Sequence, residues 1–263
     1  MKAELYKNSY LKVDWPAPDN IKAFCTTRIG GVSLPPFDSF NLANHVGDQS
    51  ERVIGNRNKL QSDLELNESP MWLEQIHSCN LVNIDLIDDQ EASVTRQKML
   101  QADASFTSKA NNICTVMTAD CLPLLLCNKQ GNWVAAAHAG WRGLADGIVE
   151  KTIETYTGNS SDLLAWMGPS ISQSYFEVGE EVKAEFIQAD TTNLGAFKSL
   201  DDKKYLCDMY LIARKIFDRY NIQSFGGNRC SYAESSLFYS YRREGKTGRM
   251  ASLIWIDDAK KLL

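Results

Sequence analysis

Histidine is scarce in this chain: three occur in 263 residues, beside 28 lysines and arginines and 33 aspartates and glutamates. A centre of several copper ions held largely by imidazoles needs more histidines than this. The net charge of -5 and the scattered Lys and Arg residues predict no nucleic-acid-binding face. No apolar run approaches the roughly 18 residues of a membrane helix, and the N-terminal segment lacks the apolar core of a signal peptide. We therefore expect a cytoplasmic protein without nucleic-acid or membrane partners.

The number and spacing of the cysteines also give no sign of disulfide bonds. The chain has seven cysteines, an odd number without compact spacing, which does not suit a disulfide framework. Reduced thiols are expected, and most of them are small apolar core groups. A particular thiol therefore needs a chemical reason to be singled out.

Nothing in the sequence divides the chain, since repeats, low-complexity stretches and Pro/Gly/Ser linkers are missing. We expect one domain over residues 1–263, with residues 88–103 as an exposed polar excursion. Residues 21–28 and 80–87 read as strands and residues 50–60 as a helix. The connection at 29–48 is longer than ordinary loops, which makes its Asn41 and His45 candidate site residues.

The middle and end of the chain alternate strands and helices. Residues 112–128 form two apolar stretches broken at 118–121, and 132–140 is a further strand. Apolar spacing predicts helices from Leu144 to Tyr156, ending at Gly158, and then over 178–186 and 209–220. Residues 237–243 and 250–257 read as closing strands. This order predicts an α+β protein, a single layered α/β domain with a mixed, largely antiparallel sheet flanked by helices.

The hexapeptide HAGWRG, residues 138–143, joins a strand to a helix. Gly140 and Gly143 allow the backbone to approach a ligand closely, and Arg142 offers a planar fork to phosphate or carboxylate. Unpaired amides at the start of the helix would add to an anion site. The alternative is a tight turn in which the tryptophan packs and Arg142 is solvated.

Two further segments place reactive side chains at breaks between apolar runs. Cys121 follows Asp120 in TADCLPLL, and His77 lies in WLEQIHS with Gln75 on the same side of an extended chain. Two histidines and a cysteine are a ligand set for zinc with an open position. Their separations of 44 and 17 residues match no recognised spacing. Cys121 alone could be a structural thiol, and Asp120 either orients a ligand or base or bonds turn amides.

The segments TTRIGGVS, NLANHVGD, WLEQIH, TADCLPLLL, AAAHAGWRG, GPSISQSYFEVG and SYRREGKTGRM occur in the order typical of the YfiH-like family. The chain resembles this family over nearly its full length. The family is named variously for polyphenol oxidase (laccase-domain), purine nucleoside phosphorylase and peptidoglycan-editing activities. TADC followed by HAGWRG is the most specific combination.

The resemblance implies that His77, Cys121 and His138 bind one metal ion, usually zinc, with copper possible. It also implies that Asn41, Arg57 and Arg142 approach substrate or phosphate. His45 matches the family as well, either as a substrate contact or as a residue that bonds its own loop. Ser78 departs from the pattern, since the family commonly has glycine there.

Zinc with an open position, beside an anion-binding loop, favours phosphorolysis of purine nucleosides. Adenosine, inosine or methylthioadenosine and phosphate would give the base and ribose 1-phosphate, and adenosine deamination would be a side activity. The residues expected to take part in catalysis are Cys121, His138, His77 and Asp120. Those expected at substrate or phosphate are Asn41, His45, Arg57, Gln75, Gly140, Arg142 and Gly143.

Two other functions remain open on the sequence. In a cysteine hydrolase that edits peptidoglycan precursors, Cys121 would be the nucleophile and His138 the base, although zinc hydrolysis would serve the same role. A copper-dependent polyphenol oxidase would use the same Cys/His/His set. In each case we expect a monomer or small homo-oligomer acting on a small molecule.

Overall fold

The computed structural model describes residues 5–87, 99–201 and 203–258. Most of the predicted excursion at 88–103 therefore lies outside the described residues, and its last two residues, Ala102 and Asp103, are buried rather than exposed. Within these ranges, no helix is both long and apolar enough to cross a membrane.

The α-helices of the described ranges are short and occur mainly in the second half of the chain. They are α1 (Ser50–Asp63), α2 (Trp141–Ala145), α3 (Ile148–Glu154), α4 (Glu180–Ala189), α5 (Met209–Arg219) and α6 (Tyr241–Glu244).

Strands account for most of the remaining regular structure. They are β1 (Leu5–Tyr6), β2 (Tyr10–Lys12), β3 (Ile21–Thr26), β4 (Leu73–Glu74), β5 (Leu81–Asn83), β6 (Leu100–Gln101), β7 (Ala104–Thr107), β8 (Ile113–Thr118), β9 (Leu122–Asn128), β10 (Val134–Ala139), β11 (Leu163–Met167), β12 (Glu177–Gly179), β13 (Phe197–Ser199), β14 (Lys204–Cys207), β15 (Gln223–Gly226) and β16 (Met250–Ile256).

Two large sheets contain most of these strands. One has five antiparallel strands in the order β1-β2-β3-β16-β8. The other has six in the order β15-β11-β9-β10-β7-β5, and its two outermost pairs are parallel. Strands β12, β14 and β13 form a small antiparallel sheet, and β4 pairs with β6. The predicted α/β layering with mixed, largely antiparallel pairing is confirmed.

The two large sheets lie face to face because their central strands are apolar on both faces. In β9, Leu124 and Leu126 face a core that includes Ile148 of α3 and Ile212 of α5. Leu125 of β9 faces the opposite way, into a core shared with the five-stranded sheet. This period-two alternation stacks helices, the six-stranded sheet and the five-stranded sheet in that order.

The outer face of the five-stranded sheet is covered by α1. Leu60 of that helix packs with Met117 of β8 and Leu253 of β16 in a third apolar cluster. Helices therefore flank both sides of the paired sheets.

One predicted helix is divided in the structure. The single helix predicted from Leu144 to Tyr156 is two short helices separated at Gly147, and the second ends at Glu154 rather than at Gly158. Gly147 has φ of 89°, a left-handed backbone that cannot continue an α-helix. The prediction was wrong because it placed this glycine inside the helix.

Three further element boundaries differ from the prediction. The strand predicted at 80–87 is limited to β5 and is followed by a 3-10 turn at Ile84–Leu86. Val178 lies in β12 opposite Tyr205, and the helix begins only at Glu180. Residues 237–243 are not a strand: they form turns and then α6, which starts where the Ser240 hydroxyl accepts a hydrogen bond from the Arg243 amide. That side-chain cap stabilises a helix start, which apolar content alone does not reveal.

Candidate metal centre

Four chain segments meet at one edge of the six-stranded sheet. Strand β10 runs antiparallel to β9 on one side and to β7 on the other, so that His138 lies opposite Pro123 and Ala137 opposite Ala104. The residues just before β9 and β7, Cys121 and Asp103, therefore flank the end of β10. The turn before β5 brings His77 to the same edge, since Leu81 pairs with Ala104.

His77, Cys121 and His138 are brought together at this edge. One nitrogen of each histidine and the Cys121 sulfur all lie within 4.8 Å of one another. Cys121 Sγ is 3.8 Å from Nε2 of His77, and the two imidazole centroids are 4.9 Å apart. In a tetrahedral zinc site, sulfur and nitrogen ligands lie roughly 3.6 Å apart. The three donors fit such an ion, and three protein donors leave one position open.

Behind the cluster lies a buried carboxylate, Asp103. Its Oδ1 is 2.8 Å from Nδ1 of His138, which directs Nε2 of that ring toward Cys121. The same carboxylate accepts hydrogen bonds from the amides of His77 (3.0 Å) and Ser78 (2.6 Å). His77 has a left-handed backbone with φ of 60°, so its turn is held in a conformation that histidine seldom adopts.

The charges of Cys121 and His138 are coupled. Burial disfavours both charged forms, but each of these two groups favours the charge of the other, and Asp103 adds a second negative group beside His138. The pKa of Cys121 is consequently lowered and that of His138 is raised. Burial would likewise raise the pKa of Asp103, but its hydrogen bonds with His138 and Ser78 outweigh that effect and lower it. A thiolate is the form of cysteine that binds metal or attacks a substrate.

Gly140 lies between β10 and α2, and Gly143 lies within α2. A Cβ atom on Gly140 would lie 2.7 Å from Cδ2 of His77 and 3.3 Å from Cys121 Sγ. One on Gly143 would lie 3.1 Å from the carbonyl oxygen of Ser78. The first glycine therefore makes room for the cluster, and the second allows α2 to lie close to the His77 segment.

The cluster opens into a cavity of about 340 Å³, within the size range of small-molecule sites. Its walls come from the edges of both large sheets, from the 3-10 turn at Asn44–Val46 and from α6. The residues that line it are His45, Gln75, His77, Met117, Thr118, Ala119, Cys121, His138, Tyr241 and Arg249.

Of the arginines in the described ranges, Arg249 is the one that lines this cavity. Its Nη1 donates to the carbonyl oxygens of Thr247 and Gly248, each at 3.0 Å. Burial lowers its pKa despite the nearby charge of Cys121 and Asp120. His45 lines the same cavity, and burial together with the charge of Arg249 lowers its pKa as well. A positive group thus faces the cavity beside a neutral imidazole.

Three of the predicted substrate contacts have structural roles in this conformation. Asn41 is buried and bonds its own loop, and its Oδ1 accepts from the amide of Arg249 at 3.0 Å. Gln75 lines the cavity, but its amide group bonds both the amide and the carbonyl of Met117, each at 2.7 Å. Arg57 donates through Nε to Leu42 and lies 4.0 Å over the ring of Trp72.

In the hexapeptide at 138–143, Arg142 does not contact the cavity. Arg142 is exposed, with its guanidinium carbon 4.2 Å over the ring of Trp141, and it does not belong to the cavity lining. The helix that follows Gly140 spans five residues. For Arg142, the structure matches the solvated alternative rather than the fork aimed at an anion.

Asp120 bonds backbone and hydroxyl groups rather than a histidine ligand. Its oxygens accept from the Ser231 hydroxyl at 2.6 Å and from the Arg242 amide at 2.7 Å. The carboxylate that orients a histidine is Asp103 instead. Asp120 holds the segment after β15 and the start of α6 against the cluster, which matches its alternative reading as a residue that bonds turn amides.

Sequence reasoning missed three residues, Asp103, Tyr241 and Arg249. Asp103 directly precedes β7, and a lone carboxylate next to an apolar strand could have marked it as a candidate site residue. Tyr241 and Arg249 both lie in the segment SYRREGKTGRM, which contributed to the resemblance but drew no site assignment.

Comparison with known proteins places the chain among related sequences and structures. Residues 22–257 match the family model described as multi-copper polyphenol oxidoreductase laccase. A relative from Escherichia coli (strain K12), named purine nucleoside phosphorylase YfiH, is 46% identical over 92% of this chain and 96% of its own length. A purine nucleoside phosphorylase of Pseudomonas aeruginosa is 42% identical over 95% of this chain and 100% of its own.

Solved structures agree with the sequence relatives. The crystal structure of Neisseria meningitidis protein NMB0706 superposes with a TM-score of 0.88 at 43% identity, covering 95% of this chain and 100% of that one. The Bacillus licheniformis hypothetical protein YfiH superposes with a TM-score of 0.86 at 29% identity, covering 95% and 97%. The chain therefore belongs to the YfiH-like family, whose sequence model carries the multi-copper polyphenol oxidoreductase laccase description.

Proposed function

We propose that this chain is a zinc-dependent purine nucleoside phosphorylase. The observation that carries the proposal is the juxtaposition of a three-donor cluster, His77, Cys121 and His138, with a cation, Arg249, in one cavity. The names of the relatives at 46% and 42% identity support the same reaction class.

Zinc is favoured over copper by the donors available. The whole chain has three histidines, and two of them belong to this cluster, so further copper ions coordinated by imidazole lack ligands. The arrangement of a carboxylate behind a histidine ligand, as between Asp103 and His138, is usual at catalytic zinc. Zinc held by these residues would supply a Lewis acid with one position open to substrate.

The chain's own groups have separable tasks in this reaction. Arg249 pairs with phosphate and holds it in the cavity, which positions an oxygen nucleophile and stabilises its charge. Tyr241 is 60% exposed at the rim and offers an aromatic surface to the purine. Asp103 keeps Nδ1 of His138 occupied, so that the other ring nitrogen serves the cluster.

Phosphorolysis forms a bond from a phosphate oxygen to C1′ of the nucleoside and breaks the bond from C1′ to the purine nitrogen. The electron pair of the broken bond stays on the purine nitrogen, which takes up a proton as the phosphate loses one, so that the neutral base and ribose 1-phosphate are the products. Adenosine, inosine and methylthioadenosine share this bond and are the proposed substrates. Deamination of adenosine by water is proposed as a side activity of the same cavity; water replaces the amino group, and the products are inosine and ammonia.

The deciding experiment is product analysis with purified, metal-replete protein, with and without phosphate. We expect cleavage of adenosine or inosine to require phosphate and to release ribose 1-phosphate. Free ribose formed at the same rate without phosphate would contradict phosphorolysis and indicate hydrolysis. Conversion of adenosine to inosine in the same assay measures the deaminase activity separately.

One observation favours a second candidate, the cysteine hydrolase that edits peptidoglycan precursors. Asp103, His138 and Cys121 lie in the order of an orienting carboxylate, a base and a thiol nucleophile. His77 counts against it, because a second imidazole 3.8 Å from the same sulfur has no task in such a triad. Turnover of a muramyl-peptide precursor by protein stripped of metal would favour the hydrolase.

A further inference from the structure

We propose that Asp103 is the positioning residue that assembles the metal site, because its single carboxylate fixes two histidines that come from separate chain segments. Asp103 is fully buried and lies at the start of β7, between the turn that holds His77 and the end of β10 that holds His138. This inference rests on the proposed metal ligand set.

The first contact fixes the ring of His138. Oδ1 of Asp103 is 2.8 Å from Nδ1 of that ring, and the side chains are 0% and 4% exposed. The backbones are joined as well, since the His138 amide donates to the Asp103 carbonyl at 2.7 Å. A ring held at Nδ1 by a carboxylate presents the lone pair of Nε2 in one direction, toward Cys121.

The second contact fixes the turn of His77. Amides of three consecutive residues, Ile76 (3.3 Å), His77 (3.0 Å) and Ser78 (2.6 Å), donate to the two oxygens of Asp103. The Ser78 hydroxyl donates to Oδ2 at 2.8 Å. These donors converge only because His77 has a left-handed backbone, so the carboxylate stabilises the conformation that directs the imidazole at the cluster.

A carboxylate is required for both contacts at once. Oδ1 serves His138 and the His77 amide, and Oδ2 serves Ser78, so both oxygens accept. An asparagine has one acceptor oxygen, and its amino group would face an N–H donor on the other side. Asp103→Asn therefore preserves size, but its amino group faces either the Ser78 amide, which loosens the His77 turn, or both His138 and the His77 amide.

The test is the zinc affinity of purified protein, measured by competition with a chromophoric chelator. We expect Asp103→Asn to weaken zinc binding about 10- to 100-fold, the range for removal of a group that orients a ligand. Ser78→Ala removes one of the donors on Asp103 and should weaken it less, by roughly twofold to tenfold. Cobalt substituted for zinc should show shifted visible bands in Asp103→Asn, because its ligand geometry changes.

The matched control is Asp85→Asn. Asp85 also organises a loop, accepting from the Ser108 amide at 2.7 Å and from Asn112 at 3.1 Å, but it does not belong to the ligand cluster. Both aspartate variants should lower the unfolding temperature, whereas only Asp103→Asn should weaken zinc binding. A purely structural role for Asp103 would make the two variants alike.

A folded Asp103→Asn protein that binds zinc as tightly as the wild type overturns the inference. If that variant does not fold, Ser78→Ala decides: unchanged zinc affinity and an unchanged cobalt spectrum overturn it. Wild-type protein that binds no zinc overturns the proposed ligand set and this inference together. Wild-type protein that binds zinc but cleaves no nucleoside overturns the proposed reaction alone.

Discussion

Gly140 lies so close to His77 that a Cβ atom on the glycine would be 2.7 Å from Cδ2 of the imidazole. We expect Gly140→Ala to displace the ring and to weaken zinc binding by about tenfold or more, as misorientation of a ligand does. Chelator competition with the purified variant measures this effect.

Gly55→Ala serves as the control for this substitution. Gly55 lies inside α1, where an added Cβ would meet only Val32 at 3.4 Å. An alanine there should leave zinc binding unchanged and raise stability slightly, because glycine is a poor helix former. Equal zinc affinity in both glycine variants would show that the space at Gly140 does not limit the cluster.

Each of the three donors should be necessary for metal binding. We expect about one zinc per wild-type chain and little or none after His77→Ala, Cys121→Ala or His138→Ala, since two remaining ligands hold zinc weakly. Elemental analysis after gel filtration measures the content. Cys230→Ala, at a half-buried thiol outside the cluster, should keep its zinc. Full zinc in Cys121→Ala would remove that thiol from the ligand set.

Elements with a single strong pattern could be predicted from the sequence. α5 and the apolar strands β9 and β10 lie where apolar spacing put them. The errors occur where one residue or a tertiary contact decides the outcome. Gly147 interrupts an otherwise regular apolar pattern, and Val178 pairs with Tyr205, which is distant in sequence. Local periodicity contains neither piece of information.

The site could be predicted only in part, for the same reason. His77, Cys121 and His138 could be grouped by resemblance, whereas their spacing carried no signal. Asp103 faces His138 because β7 and β10 pair in one particular register, and a one-residue slip would turn its side chain away. Register depends on the packing of both large sheets. Whether the whole chain is one domain stays a prediction.

Tyr241 should contribute to nucleoside binding rather than to phosphate binding. We expect Tyr241→Ala to raise the KM for adenosine roughly 5- to 100-fold, because stacking of a base on an aromatic ring contributes about 1 to 3 kcal/mol of binding free energy. Tyr241→Phe should retain most of the affinity because it keeps the ring. Initial rates at saturating phosphate measure the effect. Tyr175, 42% exposed and stacked on Tyr232 away from the cavity lining, is the control.

Glu244 should make stability depend on pH. Its carboxylate accepts from Arg28 at 2.7 Å and from Arg243 at 2.9 Å, and also from the Thr247 hydroxyl. Burial alone would raise its pKa, but these hydrogen bonds outweigh burial and lower the pKa. Because the folded-state pKa lies below the unfolded value of about 4.3, the carboxylate stabilises the fold above that pH. The contribution is lost as pH falls through the folded-state pKa.

Urea unfolding of Glu244→Gln at several pH values measures this contribution. At pH 7 the variant should lose about 1.5 to 3 kcal/mol of unfolding free energy, the usual size for hydrogen bonds to a charged group. The difference from wild type should shrink below about pH 4. Glu185→Gln, at an exposed position on α4, should track the wild type throughout. A loss that stayed constant with pH would mean that the charge of Glu244 does not matter.

Arg249, rather than Arg142, should hold phosphate. Arg249 lines the cavity that contains the cluster, whereas Arg142 lies exposed over Trp141. We expect Arg249→Ala to raise the KM for phosphate or lower kcat by roughly tenfold to a thousandfold, because a charge-assisted contact in a site is worth about 1.5 to 3 kcal/mol or more. Arg249→Lys should restore only part of the rate, since a point charge does not replace a planar fork.

Phosphate-dependent rates of both arginine variants decide between the two positions. Arg142→Ala should change the phosphate KM less than twofold, because its guanidinium faces solvent and salt screens exposed charges. The zinc content of both variants must match the wild type, so that a loss of rate reports on phosphate and not on the metal. A large change in the phosphate KM for Arg142→Ala, with none for Arg249→Ala, would mean that the turn at 138–143 binds phosphate. That turn would then have to rearrange when phosphate binds.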